Sequence, residues 1–203
     1  MTQTSQAPSE ENREKLRKYA ELLLKWSTVV DLTAAKTVQE ISQNHIADAY
    51  LALEELPESE AIIDIGTGAG LPGIVFAVFR PDTQIHLVDT RIKIGSFLEQ
   101  VRMELMLSNV HIHITNIEHF KPEDHGLMPG DYYSVSRAFS PMEKLAAYTR
   151  HMVSVRSPLY VMSTENSIAA NPKQWALNGL ELLKGIPYQL GNSQRVIFQV
   201  VSP

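Results

Sequence analysis

The chain is predicted to be an α/β protein with a doubly wound, mostly parallel sheet, a C-terminal antiparallel strand and an N-terminal helical extension. Three observations predict this. Short apolar runs alternate with helical stretches from residue 61 onward. The first run ends in a glycine-rich turn, Gly66-Thr67-Gly68-Ala69-Gly70, which opens a helix. The last two runs, Leu182–Leu190 and Val196–Val200, flank Gly191-Asn192 and read as a terminal hairpin.

The elements follow in order. Met1–Ser9 is polar and is expected to be a disordered lead-in. From Glu10 to Val30 the pattern is helical, with Leu16, Tyr19, Leu22, Leu23 and Trp26 on one stripe. Arg13, Lys15, Arg17 and Lys18 crowd its first turns and read as a solvated face, with an RNA contact as the alternative. Thr37 to Glu55 is a second helix, with Thr37 as N-cap and Glu40 completing a capping box. Ile41, His45, Ile46, Ala49 and Leu53 form its stripe, and Pro57 closes this preface. Residues 10–57 are thus expected to pack as an extension on a main domain of residues 58–203. Within that domain, strands are predicted at Ala61–Ile65, Gln84–Val88, Val110–Thr115, Tyr132–Ser136 and Leu159–Met162. Helices are predicted at Gly70–Phe79, Ile92–Leu107, Pro141–Val153 and Ile168–Leu177. Asn171-Pro172 reads as a helix cap, and Met103 and Met106 read as core.

Composition narrows the chemistry. The 203 residues include no cysteine, which excludes disulfides, thiolate metal sites, iron–sulfur clusters and any cysteine nucleophile. No apolar run reaches the ~18 residues of a membrane span. The polar N-terminus shows no secretory signal, so a cytoplasmic location is expected. A net charge of −5 argues against generic coating of nucleic acid, although a local basic patch would suffice for an RNA substrate. His111 and His113 alternate on a strand and face one side, but no third ligand stands at useful spacing, so no metal site is expected. His119 and His125 fall in a polar loop, and His45 reads as a packing or hydrogen-bonding residue.

The glycine turn carries the binding chemistry. Glycines let the chain turn tightly and approach a ligand backbone-first. The helix behind them offers free N–H groups at its positive end. Asp64 ends the first strand and Asp89 the second, the latter placed to accept two ribose hydroxyls. A nicotinamide dinucleotide wants G-x-G-x-x-G directly after the strand. Here that spacing exists only as Gly68-Ala69-Gly70-Leu71-Pro72-Gly73, two residues late and containing Pro72. An acidic strand end followed by G-x-G-x-G suits S-adenosylmethionine instead. Asp64 can orient the loop, attract the cofactor's ammonium and repel a pyrophosphate. A dehydrogenase remains the alternative on these residues alone.

The run Asp64–Ile74 is longer than a generic cofactor signature and resembles the small-subunit ribosomal RNA guanine-N7 methyltransferases, once called glucose-inhibited division protein B. Other segments agree in order: Trp26 with Asp31-Leu32-Thr33, His45-Ile46-Ala47-Asp48, Leu87–Lys93 followed by Phe97-Leu98, and Ser136-Arg137-Ala138-Phe139. The resemblance implies the class I S-adenosylmethionine methyltransferase fold, that cofactor, and 16S ribosomal RNA or the small ribosomal subunit as partner of a monomer. It implies that Asp64, Gly66, Gly68, Gly70, Leu71, Asp89, Ile117, Glu118 and Arg137 surround the cofactor. It further implies Arg137 as catalytic residue, with Lys93, Arg137 and Arg195 on the RNA. The chain departs from the family pattern at Asp31, Ala49, Ile94 and Tyr160–Glu165, with a loss of positive charge on the RNA side. A catalytically weakened cofactor-binding protein and a small-molecule methyltransferase are the corresponding alternatives. No Asn/Asp-Pro-Pro-Tyr/Phe motif follows the fourth strand, consistent with a target such as guanine N7, which carries a lone pair and no proton.

Overall fold

The computed structural model describes residues 8–139, 142–164 and 167–203. The expected lead-in falls mostly on residues 1–7, and the predicted helix start at Pro141 and the departure at Glu165 also lie outside the described residues. Seven strands form one sheet: β1 (Ala61–Ile65), β2 (Gln84–Asp89), β3 (Val110–Ile114), β4 (Tyr132–Arg137), β5 (Leu159–Ser163), β6 (Glu181–Leu190) and β7 (Ser193–Val201). Their spatial order is β3-β2-β1-β4-β5-β7-β6. The first five run parallel, while β7 lies antiparallel to β5 and pairs β6 as the predicted hairpin. The order reverses at β1/β4, so the carboxyl ends of β1, β2 and β4 open on one crevice.

Alternation along the strands sorts side chains into two cores. Ile62, Leu87, Val135 and Met162 point to one face, and Ile63, Val88, Ser136-flanked Ile65 and Val161 to the other. The first face is covered by α1 (Glu10–Trp26), α3 (Ala47–Glu55), α4 (Gly73–Phe79) and α5 (Ile92–Glu104). The second is covered by α6 (Met142–Thr149) and α7 (Pro172–Ala176). The preface is therefore part of the first core: Tyr19, Leu23, Ile41 and Ala49 are completely buried in it. The fully buried Tyr19 hydroxyl donates to the Ala69 carbonyl at 2.7 Å, tying α1 to the glycine turn. Among the described residues, no helix is long and apolar enough to cross a membrane.

Several boundaries differ from the sequence expectation, each for a local reason. The first helix stops at Trp26, where Ser27 caps it and the chain turns through Val30. The second is broken by a π segment, Ser42–Ile46, between α2 (Val38–Ile41) and α3. Thr37 does cap α2 by accepting from the Glu40 N–H, but Glu40 reaches back to the Lys36 N–H rather than that of Thr37. The helix expected from Gly70 begins at Gly73, because Gly70 holds the left-handed conformation. Ile168–Leu177 splits into a 3₁₀ turn and α7, with Asn171 capping the break as expected and Pro172 unable to continue a helical ladder. Met103 and Met106 are not core: they are 64% and 79% exposed, and the α5 stripe buries Ile94, Phe97, Leu98, Val101 and Leu105 instead. The basic cluster on α1 is a solvated face, where Arg13, Lys15 and Arg17 pair with Glu10, Glu11, Glu14 and Glu21. Lys18 pairs with Glu104 of α5.

Candidate functional site

The glycine turn is held by a buried acid beneath it. Asp64 is 0% exposed, and one of its oxygens accepts from the Thr67 hydroxyl at 2.7 Å and the Gly73 N–H at 2.9 Å. Burial pushes its carboxyl up to about 6, against the lowering effect of those two hydrogen bonds. Asp64 therefore shapes the turn from below and does not line a cavity, which corrects the expectation of a direct contact with a cofactor ammonium. The Gly73 N–H it occupies would be needed by a dinucleotide pyrophosphate, so the late G-x-G-x-x-G register loses its last donor. Gly66, Gly68 and Leu71 line a cavity above the turn; a Cβ at Gly66 would stand 2.7 Å from the Phe139 ring, whereas one at Gly68 would meet only the end of Arg91 at 3.5 Å. Gly70 does not line it: it packs against Ile74 and Leu98.

Asp89 closes β2 at the floor of a cavity of about 340 Å³. One carboxylate oxygen accepts from the Arg91 backbone N–H and from Arg91 Nε, each at 3.0 Å. The other accepts from the Gly68 N–H at 3.0 Å and Arg91 Nη2 at 3.1 Å. Burial pushes the Asp89 carboxyl up, but the hydrogen bonds and charge of Arg91, together with the Gly68 N–H, outweigh it and hold the group below its ordinary value. Val88, Thr115, Asn116, Ile117, Ala138, Phe139 and Tyr148 complete the walls. Ile117 stands where expected. Glu118 does not: it is exposed outside the cavity, turned toward the Asn116 amide.

A second cavity of about 300 Å³ runs over Gly66–Ala69 and Leu71 to His45 and Arg137. A third, of about 390 Å³, continues past Arg137 to Asp48, Tyr188 and Arg195. Arg137 ends β4 and lines both; Ala138, at φ +55°, lines all three. Asp48 organises the third cavity. It is 7% exposed and accepts from Tyr188 Oη at 2.8 Å and Arg137 Nη1 at 3.2 Å, with Arg195 Nε 3.9 Å away. Burial and the nearby Arg137 cation hold the His45 ring below its ordinary value, and its Nε2 lies 3.1 Å from Thr33 Oγ1. Lys93 is exposed on α5 and lines none of these cavities.

The structure thus gathers Gly66, Gly68, Leu71, Asp89, Ile117, Arg137 and Arg195, and leaves out Asp64, Gly70, Glu118 and Lys93 as lining residues. Sequence reasoning missed Arg91, Asp48, Phe139 and Tyr148. Arg91 was legible as the residue two after the strand-end acid; Asp48 was not, since its partners lie 89 and 140 positions away. The histidines also differ from expectation. His86 from β2 and His125 from the loop join His113, giving the third nitrogen donor that spacing did not reveal.

The comparisons with known proteins agree with this geometry. The family described as "rRNA small subunit methyltransferase G" matches residues 12–195. A protein of that name from Methylobacillus flagellatus is 39% identical over 140 residues, spanning 69% of this chain and 65% of that protein. One from Azoarcus sp. is 36% identical over 162 residues, spanning 78% and 74%. Among solved structures, the glycopeptide N-methyltransferase MtfA complexed with S-adenosyl-L-homocysteine superposes with a TM-score of 0.62 at 8% identity, covering 78% of this chain and 87% of that one. That likeness concerns the fold alone, an α/β Rossmann-like fold. With the match running from α1 into β7 across every cavity wall described above, the chain belongs to the rRNA small subunit methyltransferase G family.

Proposed function

We propose that this chain transfers the methyl group of S-adenosylmethionine to N7 of a guanine in 16S ribosomal RNA. The observation that carries the reading is a run of three neighbouring cavities that share Ala138, two of them also lined by Arg137. The residues present fit the cofactor. The first cavity has a carboxylate floor at Asp89 and an apolar wall of Val88, Ile117 and Phe139, suited to a ribose and a flat base. Gly66, Gly68 and Leu71 would hold the amino-acid part over the turn that Asp64 and Gly70 shape. When bound, S-adenosylmethionine supplies a methyl group activated on a sulfonium.

The protein's own task is alignment. Guanine N7 has a free lone pair and loses no proton, so no general base is required of His45 or any other side chain. Arg137, fixed by Asp48, positions the base at the junction of the second and third cavities. Arg195, on the far wall, meets the RNA backbone, with Lys93 further out on α5 as a weaker contact. In this reading residues 58–203 form the catalytic unit, 10–57 its extension, and the protein acts as a cytoplasmic monomer.

The test is methylation of unmodified small-subunit ribosomal RNA by wild type and Arg137→Ala, with the product mapped by mass spectrometry. Wild type should yield one N7-methylguanosine. Arg137→Ala should lose about a hundredfold in turnover, the scale expected for a misplaced substrate, while S-adenosylhomocysteine binding changes by only a few-fold. Full activity of the variant would remove Arg137 from the mechanism, and no product with wild type would overturn the function.

A further inference from the structure

Outside the site, four histidines gather on the second face of the sheet. His86 stands on β2, and His111 and His113 on the neighbouring edge strand β3, in parallel register with it. A 3₁₀ turn, Pro122–His125, folds over this edge and ends at Gly126 in the left-handed conformation, which places His125 against them. The ring centroids of His113 and His125 are 4.4 Å apart, and those of His86 and His113 are 5.2 Å apart. Phe120 stacks on His125 and closes the apolar side of the cluster.

We propose that His86, His113 and His125 form a binding site for a divalent transition-metal ion of the zinc class. One ligand nitrogen from each of the three lies within 4.8 Å of the others. Three nitrogens on a tetrahedral zinc, each ~2.1 Å from the metal, lie about 3.4 Å apart, so closure needs a movement of roughly an ångström. His125 can supply it, since it is exposed at the end of a short turn.

A second observation points the same way. His86 is 2% exposed; its Nδ1 lies 3.0 Å from His113 Nε2, and its Nε2 is buried with no hydrogen-bond partner. A buried nitrogen left so costs free energy, which a ligand reaching that atom would recover. An all-imidazole set selects zinc, copper, nickel or cobalt over magnesium or calcium, which need oxygen. His111, its ring stacked on that of His86 at 4.9 Å, stands beside the cluster as a further nitrogen donor.

The role is structural. The metal would pin the turn 122–125 to the sheet edge, and with it the segment Thr115–Ile117 that walls the first cavity. The proposal does not depend on methyl transfer, and its readouts do not use it.

The test uses the untagged full chain stripped with a chelator. Zinc titration by calorimetry should give one ion per chain, and cobalt should give the intense visible absorption of a tetrahedral site. His125→Ala and His113→Ala should each weaken zinc by more than about a hundredfold, beyond the 10–100-fold typical of indirect contacts. His119→Ala, an exposed neighbour outside the cluster, should leave it unchanged. Zinc should also slow amide hydrogen exchange across residues 121–126. No stoichiometric zinc binding, or equal binding by His125→Ala and wild type, would overturn the site and leave a stack of histidines without a ligand role.

Discussion

Replacing Gly70 and Gly68 one at a time by alanine separates the glycine that builds the turn from one that faces the ligand. Both hold positive φ, +86° at Gly70 and +54° at Gly68. A Cβ at Gly70 would stand 2.6 Å from Ile74 Cγ1 and 2.9 Å from Leu98 Cδ2, inside contact distance of two core side chains. Left-handed backbone costs an alanine about 1–2 kcal/mol, and overpacking a filled core costs about 1–3 kcal/mol more. Gly70→Ala should therefore lose about 2–5 kcal/mol of stability. At Gly68 the nearest side-chain atom is Arg91 Nη2 at 3.5 Å, ordinary contact with the end of a flexible chain. Gly68→Ala should lose only the backbone cost of about 1–2 kcal/mol, yet place a methyl group in the second cavity. Urea unfolding followed by circular dichroism gives the first quantity as a midpoint shift at constant slope. Calorimetry with S-adenosylhomocysteine gives the second, where Gly68→Ala should weaken binding at least tenfold, about 1.4 kcal/mol. Equal stability losses in the two variants, or unimpaired binding by Gly68→Ala, would refute this division of labour.

Three further outcomes follow from the site. Asp64, with its carboxyl raised from 3.8 to about 6, contributes stability that is fully present below pH 3.8 and lost as pH rises through 6. The loss is on the order of 3 kcal/mol by linkage, so Asp64→Asn should flatten the stability profile between pH 4 and 7; parallel profiles would contradict it. Arg91 occupies both oxygens of Asp89 and must release them for a ribose, so Arg91→Ala should bind S-adenosylhomocysteine no more weakly than wild type, with the gain limited to about 1 kcal/mol for a half-exposed ion pair. A large loss of affinity in calorimetry would instead make Arg91 a ligand contact. Asp48→Ala should free Tyr188 and Arg137 together, lowering RNA methylation as Arg137→Ala does while leaving cofactor affinity within a few-fold; retained turnover would show that Arg137 needs no partner.

The turn from Asp64 to Gly73 was legible because its constraints are local. An acid at a strand end, glycines at positive φ and a helix start lie within ten residues, and neighbouring side chains and backbone settle them. The same holds for the apolar stripes of α1 and α5, whose buried residues are those that the 3.6-residue period selects. Even so, tertiary structure separated the two acids that the sequence had both set beside the cofactor. Asp64 became a fully buried support, and Asp89 the acid on the cavity floor, already engaged by Arg91. Which side of the turn a carboxylate faces depends on strand register, not on spacing.

By itself the sequence determined the parallel sheet with its reversed terminal hairpin, the glycine turn, the family, and part of the cavity lining: Gly66, Gly68, Leu71, Asp89, Ile117 and Arg137. Tertiary structure alone decided what meets across the sheet: Asp48 with Tyr188 and Arg137, Tyr19 with the Ala69 carbonyl, and His86 with His113 and His125. The physical reason is range. Backbone conformation and amphipathic pattern act over a few residues, whereas these contacts join positions 12 to 140 apart. They exist only because strand order, register and two packed cores bring distant side chains into the same few ångströms.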